Sequence, residues 1–390
     1  MSEINSPAIR FAGFTDGWKE RSIGECFTER NERSGFGDLI SVTMNSGVIK
    51  TEHLGRHDTS SDDKSNYKNV EVGDIAYNSM RMWQGASGHS QYSGILSPAY
   101  TVITPQEGFH SPFFAYLFKR PSMIQQFQIN SQGLTSDTWN LRWPTLRSIG
   151  VIVPAFKEQQ RLSELFAVID QLITLHQREH DKTVNIKKAL LEKMFPKDGE
   201  DKPAIRFAGF TGAWEQREFA ELVSRVSTMS DRKYDMPRVE YEDIISGQGL
   251  LNKNIYEKQS NKRGVHFEPG DILFGKLRPY LQNWLAPDFT GIAVGDWWVL
   301  KPQGVNTEFI CALLQSPQYQ RVSNLSTGTK MPRSDWSVVA RTTFAVPSQI
   351  CEQAQIGKTF TNLDRLITLH NRELTKLQNI KKALLEKMFV

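Results

Sequence analysis

Cationic, hydroxyl and amide side chains gather in polar loops of two segments, residues 21–150 and 219–343. Lysine and arginine hold phosphate groups, whereas Arg, Asn, Gln, Ser and Thr can also pair with the edges of nucleobases. These loops are therefore candidate contacts to DNA, although an ordinary solvated loop has the same composition. The candidates in the first segment are Lys64, Lys68, Arg81, Thr135, Ser136, Thr138, Asn140 and Arg142. Those in the second segment are Arg232, Lys233, Lys262, Arg263, Lys276, Arg278, Thr329, Lys330, Arg333 and Ser334.

Motifs of catalysis are missing from the sequence. An amino-methyltransferase carries an Asn/Asp-Pro-Pro-Tyr/Phe tetrapeptide, yet no two prolines are adjacent in this chain. No P-loop pattern occurs, and residues 247–249 (GQG) are too short for a dinucleotide-binding fingerprint. His176 and His180 stand one helical turn apart and could bind zinc. Their place on an apolar helical stripe instead favours a polar contact that sets the register of paired helices, so we predict no catalytic residue and no metal site.

The composition of the 390-residue chain is that of an ordered, water-soluble protein. Lys and Arg number 47 against 43 Asp and Glu, so the formal net charge is only +4. This near balance weakens the case for a protein that binds DNA alone, because phosphate neutralisation supplies much of such affinity. Three cysteines argue against a disulfide framework, and no apolar run approaches the roughly 20 residues of a membrane span. We expect a cytoplasmic location.

The elements that position these loops are organised by an internal repeat. Residues 9–15 (IRFAGFT) recur as residues 205–211, and residues 185–195 (NIKKALLEKMF) recur letter for letter as residues 379–389. A period of about half the chain is far longer than the 20–50 residues of a solenoid repeat. The chain is therefore two copies of one unit. Because the ends match while the middle stretches have diverged, we predict one fold that presents two different recognition surfaces.

Each middle segment reads as a mixed α+β domain. Short runs rich in β-branched and aromatic residues predict strands, and the adjacent Trp297 and Trp298 are expected to lie in the core rather than to stack on bases. The strands are predicted at residues 75–77, 100–103, 148–153, 272–274, 297–300 and 343–346, and single helices are predicted at residues 112–129 and 306–322.

The last part of each copy predicts a long helix. Apolar residues recur at spacings of three and four over residues 157–195 and again over residues 352–388. A helix of nearly 40 residues spans roughly 55 Å, too long to bury its apolar stripe within one small domain. Pairing the two helices buries both stripes. We therefore predict an antiparallel, coiled-coil-like pair that holds two globular ends apart.

Several of these motifs resemble those of the specificity subunits of type I restriction-modification systems. The resemblance is carried by residues 10–18 and 206–214 (RFAGFTxxW), by residues 270–280 (GDILFGKLRPY), and by the KKALLEKMF ends of both helices. It covers essentially the whole chain. It implies target recognition domains at residues 1–156 and 205–349, spacer helices at 157–195 and 350–390, and a linker at 196–204.

The resemblance also implies partners and cofactors. Each recognition domain would read one half of a split DNA target, and the helices would dock two modification subunits, through which restriction subunits join. S-adenosylmethionine, ATP and Mg²⁺ would act on the partner subunits, leaving this chain without catalysis or cofactor. Two alternatives stay open on the residues alone: a repeat-built scaffold that binds only proteins, and an enzyme with an unrecognised site.

Overall fold

A computed structural model describes residues 6–55, 60, 62–230, 236–257, 262–325 and 330–390. The chain divides into two compact units, of which unit 1 comprises Met1–Leu175 and Leu374–Val390 and unit 2 comprises His176–Glu373. Two long helices, the first Phe156–Lys193 and the second Ile350–Lys387, each contribute residues to both units. Each unit is therefore completed by a segment of both copies of the repeat.

Unit 1 is built on short strands with helices packed against them. Its four-stranded antiparallel sheet follows the order Phe27–Glu29, Tyr100–Pro105, Ile75–Asn78 and Ser87–His89. The remaining strands form the pairs Lys19–Ser22 with Gly150–Val153, Ile40–Thr43 with Gly47–Lys50, and Lys68–Val70 with Gly94–Leu96. The short helices are Ile23–Cys26, Ser111–Leu117, Pro121–Asn130 and Trp143–Leu146, with 3-10 turns at Thr51–Leu54 and Met82–Gln84.

Unit 2 repeats this plan with additional strands. One four-stranded sheet follows the order Val223–Val226, Trp297–Pro302, Ile272–Gly275 and Trp284–Leu285, and another the order Met229–Ser230, Gly264–Phe267, Gly291–Val294 and Arg238–Glu240. Two pairs complete the strands: Glu215–Glu218 with Thr343–Val346, and Ile244–Ile245 with Leu250–Leu251. The short helices are Phe219–Leu222, Thr307–Gln315, Pro317–Ser323 and Trp336–Arg341, with 3-10 turns at Tyr241–Asp243, Ile255–Glu257 and Pro279–Leu281. The α+β prediction is confirmed, and Trp297 and Trp298 are buried as expected.

The single helices predicted at residues 112–129 and 306–322 are wrong, because each is two helices broken by a proline. Pro121 and Pro317 each begin the second helix, at a position where the missing N–H of proline costs no hydrogen bond. The residue before each proline is extended, with ψ of 144° at Arg120 and 150° at Ser316. Steric exclusion of the helical region before proline ends the preceding helix.

The long helices run antiparallel within each unit, as predicted. In unit 1, Lys381 of the second helix donates to Asp170 of the first at 2.6 Å. In unit 2, Lys187 of the first helix donates to Asp364 of the second. Early residues of one helix therefore meet late residues of the other in both units. The apolar stripe does more than pair the helices, because Phe166 in unit 1 and Phe360 in unit 2 also belong to the globular cores.

The motif that opens each copy of the repeat, at residues 9–15 and 205–211, attaches its unit to the long helices. In unit 1 the buried carboxylate of Glu158, near the start of the first long helix, accepts from Arg10 Nε at 2.7 Å. Glu352 and Arg206 form the same pair in unit 2 at 2.6 Å. Backbone N–H groups of Ile9 and of Ile205 donate to the carbonyl oxygen of the last helical residue in their own unit, Lys387 and Lys193. This repeated motif thus makes the same contacts to the long helices in both units.

Candidate nucleic-acid interface

The structure brings two polar segments together in each unit. In unit 1, residues 79–85 meet residues 131–142 through a backbone bond from Leu141 N–H to the Ser79 oxygen at 2.8 Å. In unit 2, residues 276–282 meet residues 330–334 through a bond from Arg278 N–H to the Pro332 oxygen at 2.8 Å. We call these the unit 1 surface and the unit 2 surface. Each joins the end of a central strand to the loop that precedes the last short helix.

The loop of the unit 1 surface is internally braced. Gln132 and Asn140 exchange backbone hydrogen bonds of 2.8 and 3.1 Å at its base. The Thr138 hydroxyl accepts from the Thr135 N–H at 3.1 Å and donates to the Thr135 oxygen at 2.9 Å. Thr135, Ser136 and Thr138 are exposed, whereas Asn140 is half-buried with its amide oxygen enclosed. The hydroxyls are therefore available at the surface, while Asn140 lies at the base of the loop.

The cations predicted in unit 1 differ in their availability. Arg142 is exposed and Arg81 is half-buried, and no ion pair of either joins it to another described residue. Lys64 is half-buried in the separate segment 62–66. Lys68 is a correction: it lies on the strand Lys68–Val70, is 8% exposed, and has its ammonium 3.5 Å from Glu29. Its burial and its acidic partner leave it without the exposure that a phosphate contact requires.

Acidic residues contact three of the six candidate cations that the structure describes in unit 2. Asp296 lies 3.7 Å from Lys276 Nζ and accepts from Arg333 Nε at 3.2 Å, a bond that raises the pKa of Arg333. Lys262 contacts Glu240 at 3.2 Å. Arg263 is also engaged by a partner, and Lys330 is exposed. These pairs fix cationic heads at the surface and lower the net positive charge there.

One candidate of unit 2 is corrected and three lie outside the described residues. Ser334 is 7% exposed, and its hydroxyl donates to the Ser323 oxygen at 2.7 Å. This hydroxyl therefore ties the loop to the preceding helix and is not free to contact a base. Arg232, Lys233 and Thr329 are the candidates that fall outside the described part of the chain.

The unit 2 surface carries backbone strain that sequence reasoning missed. Arg278 and Gln282 have positive φ angles of 46° and 52°, a region that residues other than glycine rarely adopt. They bracket the 3-10 turn Pro279–Leu281, whose Pro279 is buried and whose Tyr280 is 54% exposed. Strain of this kind persists only where the surroundings enforce it, and it concentrates at functional sites. The turn holds Tyr280 and the exposed Arg278 guanidinium outward.

A half-buried lysine of unit 1 also gave no signal in the sequence. Lys119 follows the helix Ser111–Leu117, and its ammonium donates to the backbone oxygen of Gly85 and, at 2.8 Å, to that of Met44. Gly85 ends the 3-10 turn of the unit 1 surface. Burial, with a smaller contribution from Lys381, lowers the pKa of Lys119 to about 8. This cation therefore links the 3-10 turn of the unit 1 surface to the backbone at Met44.

The Lys119 anchor predicts a pH-dependent stability. The pKa of Lys119 in the folded protein lies below the ordinary 10.5. Below about pH 8 the lysine is charged in both states, and its charge destabilises the folded state relative to the unfolded state. Unfolding free energy should therefore rise as the pH increases from about 8 to about 10.5, by at most about 3 kcal/mol. We expect urea unfolding at several pH values to show this rise in the natural chain and a flatter profile in Lys119→Met. Equal slopes would contradict the assignment.

Of the two histidines that stand one helical turn apart, His176 makes a polar contact between the helices and His180 does not. In unit 2, His176 Nδ1 and His370 Nδ1 lie 3.2 Å apart, so one ring donates and the other accepts. His180 instead contacts Asp181 at 3.0 Å. Within the described ranges, no group of three or more His, Cys, Asp or Glu could hold a metal ion. In the same ranges, every helix is too short or too polar to cross a membrane.

Comparison with known proteins places the fold. No protein-family model matches the chain. A crystal structure of the type I restriction-modification system S subunit from M. genitalium aligns with a TM-score of 0.60 at 14% sequence identity, covering 99% of this chain and 99% of that one. This chain has the fold of a type I S subunit. The S-subunit fold accounts for the duplicated units and the pair of long helices.

Two further solved chains align over nearly the full length. A chain from a structure on complex assembly and conformational transition of the type I R-M system has a TM-score of 0.49 at 14% identity, covering 97% of this chain and 99% of that chain. The HsdS subunit from Thermoanaerobacter tengcongensis has a TM-score of 0.45 at 15% identity, with coverages of 96% and 97%.

Proposed function

We propose that this chain is the DNA sequence-specificity subunit of a type I restriction-modification complex. The observation that carries the proposal is the full-length likeness to the S subunit from M. genitalium. The repeat supports it: the parts that attach each unit to the helices recur, whereas the unit 1 and unit 2 surfaces differ in sequence. A shared frame with two different surfaces suits a protein that reads two different half-sites.

In each unit, some residues suit contacts to DNA phosphates, and in unit 1 others suit contacts to base edges. In unit 1, Arg81, Arg142 and Lys64 are the cations available to phosphates, and the exposed hydroxyls of the braced loop face outward to pair with base edges. In unit 2, Lys276, Arg278, Lys330 and Arg333 take the phosphate role. The modest net charge of +4 is consistent with bound modification subunits that supply further cationic surface.

The long helices offer surfaces on which modification subunits would dock. In unit 1, Val168, Leu172 and Leu175 are 53%, 39% and 53% exposed at spacings of four and three, which places them on one helical face. In unit 2, Leu366 and Leu369 are 44% and 51% exposed on the second helix. Exposed apolar stripes of this kind are typical of protein–protein interfaces. Restriction subunits would join through the modification subunits.

Catalysis would belong to the partners. The modification and restriction subunits would use S-adenosylmethionine, ATP and Mg²⁺ in the cytoplasm, and this chain would supply binding and position. We expect the purified chain alone to give neither methyl transfer nor DNA cleavage. Turnover by the chain alone would establish the alternative of an enzyme with its own site.

The decisive binding experiment measures how affinity for duplex DNA depends on salt. With the seven phosphate contacts assigned above, the affinity of the chain with its modification subunit should fall by roughly 10³–10⁴ between about 50 and 200 mM salt. The matched variant Arg81→Ala with Arg142→Ala should bind more weakly and with a shallower slope. A scaffold that binds only proteins would bind no duplex sequence specifically, and its affinity for DNA would not depend steeply on salt. That result would overturn the proposal.

A further inference from the structure

The loop of the unit 1 surface carries a fully exposed leucine. Leu134 is 100% exposed, although the loop around it is hydrogen-bonded on both sides. Isolated exposed leucines are common on flexible surfaces and need no explanation. The Leu134 side chain lies wholly in solvent beside a turn that is closed by hydrogen bonds between Thr135 and Thr138. This side chain is therefore accessible to a partner.

The backbone beside Leu134 is tightly constrained. Gly133 has a φ of +151°, and a Cβ at this position would lie 2.6 Å from the Thr138 oxygen. A side chain at position 133 would therefore displace the turn that Thr135 and Thr138 close. At the base of the loop, the Trp139 ring packs edge-on against Trp83 with centroids 5.1 Å apart. These contacts fix the direction in which the tip projects.

The charge around the tip indicates how it would meet DNA. Residues 131–141 contain no lysine or arginine, and the exposed Asp137 adds a negative charge. Such a tip would be repelled by the phosphate backbone, whereas Arg81 and Arg142 lie in the segments at its base. If Arg81 and Arg142 hold phosphates, the loop that projects between their two segments reaches a groove. There, hydroxyl and carboxylate groups can pair with base edges.

We propose that Leu134 inserts as a wedge between two base pairs of the half-site read by unit 1 and partly unstacks them. This inference depends on the proposed function, because it names what the loop does once DNA is bound. Apolar side chains that enter a base step in this way kink the duplex and extend the contact surface. Deformable steps such as TA or CA would be the favoured sites, which would add sequence preference without a hydrogen bond.

The test places 2-aminopurine, whose fluorescence rises when it is unstacked, at successive positions of the unit 1 half-site other than the adenine that is methylated, because a methyltransferase flips its target base out of the stack. The full chain with its modification subunit should raise the fluorescence severalfold at one step, and Leu134→Ala should abolish the rise and weaken binding by about tenfold, as expected for a lost wedge. Leu134→Met should keep the signal. Because the Leu134 side chain is fully exposed, Leu134→Ala should melt at the temperature of the natural chain.

Phe36→Ala is the matched control, since Phe36 is a 92% exposed apolar residue of unit 1 outside the loop, and it should leave the signal unchanged. Specific, salt-dependent binding without unstacking at any position would reject the wedge and leave the proposed function standing. A signal that survives Leu134→Ala would also reject the wedge, as would a loss of modification-subunit binding in this variant without DNA. If the complex bound no duplex sequence specifically, the proposed function itself would be rejected.

Discussion

Glu352→Ala should lower the unfolding free energy by about 3–5 kcal/mol, the usual cost of removing one partner from a buried ion pair. The Glu352 carboxylate is 1% exposed and accepts from Arg206 Nε and Nη2 at 2.6 and 2.8 Å and from Trp214 Nε1 at 3.3 Å. Its hydrogen bonds raise the pKa of Arg206. Truncation would leave a largely buried guanidinium and an indole N–H without their acceptor.

The repeat supplies a matched comparison for this variant in unit 1. Glu158 accepts from Arg10 Nε and Nη2 at 2.7 and 2.8 Å, but Trp18 Nε1 is buried without a hydrogen-bond partner among the described residues. Glu158→Ala should therefore cost somewhat less than Glu352→Ala, by about the 1 kcal/mol of one net hydrogen bond.

Urea unfolding of the full chain measures both variants, and Arg206→Ala with Glu352→Ala tests the coupling between the partners. The double variant should be less destabilised than the sum of the two single variants, because it leaves no charge buried alone. A loss below about 1 kcal/mol for Glu352→Ala would show that the pair behaves as an ordinary surface ion pair, contrary to this account.

The parts of the fold that recur in both copies could be predicted from the sequence. Two copies of the same helical end, each with an apolar stripe, predicted the antiparallel pair that Asp170–Lys381 and Lys187–Asp364 now define. Contacts between distant residues could not be read in the same way. Arg10 and Glu158 are 148 positions apart, and nothing in either local pattern indicates that they meet. The opening motif could be recognised as repeated but not assigned to attachment.

The candidate surfaces were predicted less well, for three physical reasons. Residue type does not give orientation, so the sequence predicts a surface cation at Lys68 although its side chain is buried beside Glu29. Helical propensity does not reveal a break that depends on where proline falls, as at Pro121. Backbone strain and half-buried cations depend on tertiary contacts, which is why Arg278 and Lys119 gave no signal in the sequence.

Exchange of residues 21–150 for the corresponding segment of a relative should change one half of the DNA target completely and leave the other half unchanged. Both cut points lie in the antiparallel pair Lys19–Ser22 with Gly150–Val153, where Arg21 faces Val151. Cutting there preserves the attachment of Arg10 to Glu158 and the buried Trp18. The surface changes while the frame remains.

The donor segment must keep the contacts that unit 1 makes with the long helices. The Phe113 ring stacks on Phe389 with centroids 5.3 Å apart, and the Tyr116 hydroxyl donates to Asp170 at 2.9 Å. A relative with an aromatic residue at the place of Phe113 is therefore the suitable donor. The reciprocal exchange of residues 219–343, where Phe309 packs against Phe195, should alter the opposite half of the target.

The most direct measurement is a genome-wide map of methylated adenines in cells that express the chain, or either exchange, together with its modification subunit. We expect the natural chain to give a motif of two specified halves around an unspecified gap, and each exchange to replace a different half. A single uninterrupted motif, a change in both halves after one exchange, or methylation without any motif would contradict reading of DNA by two independent units.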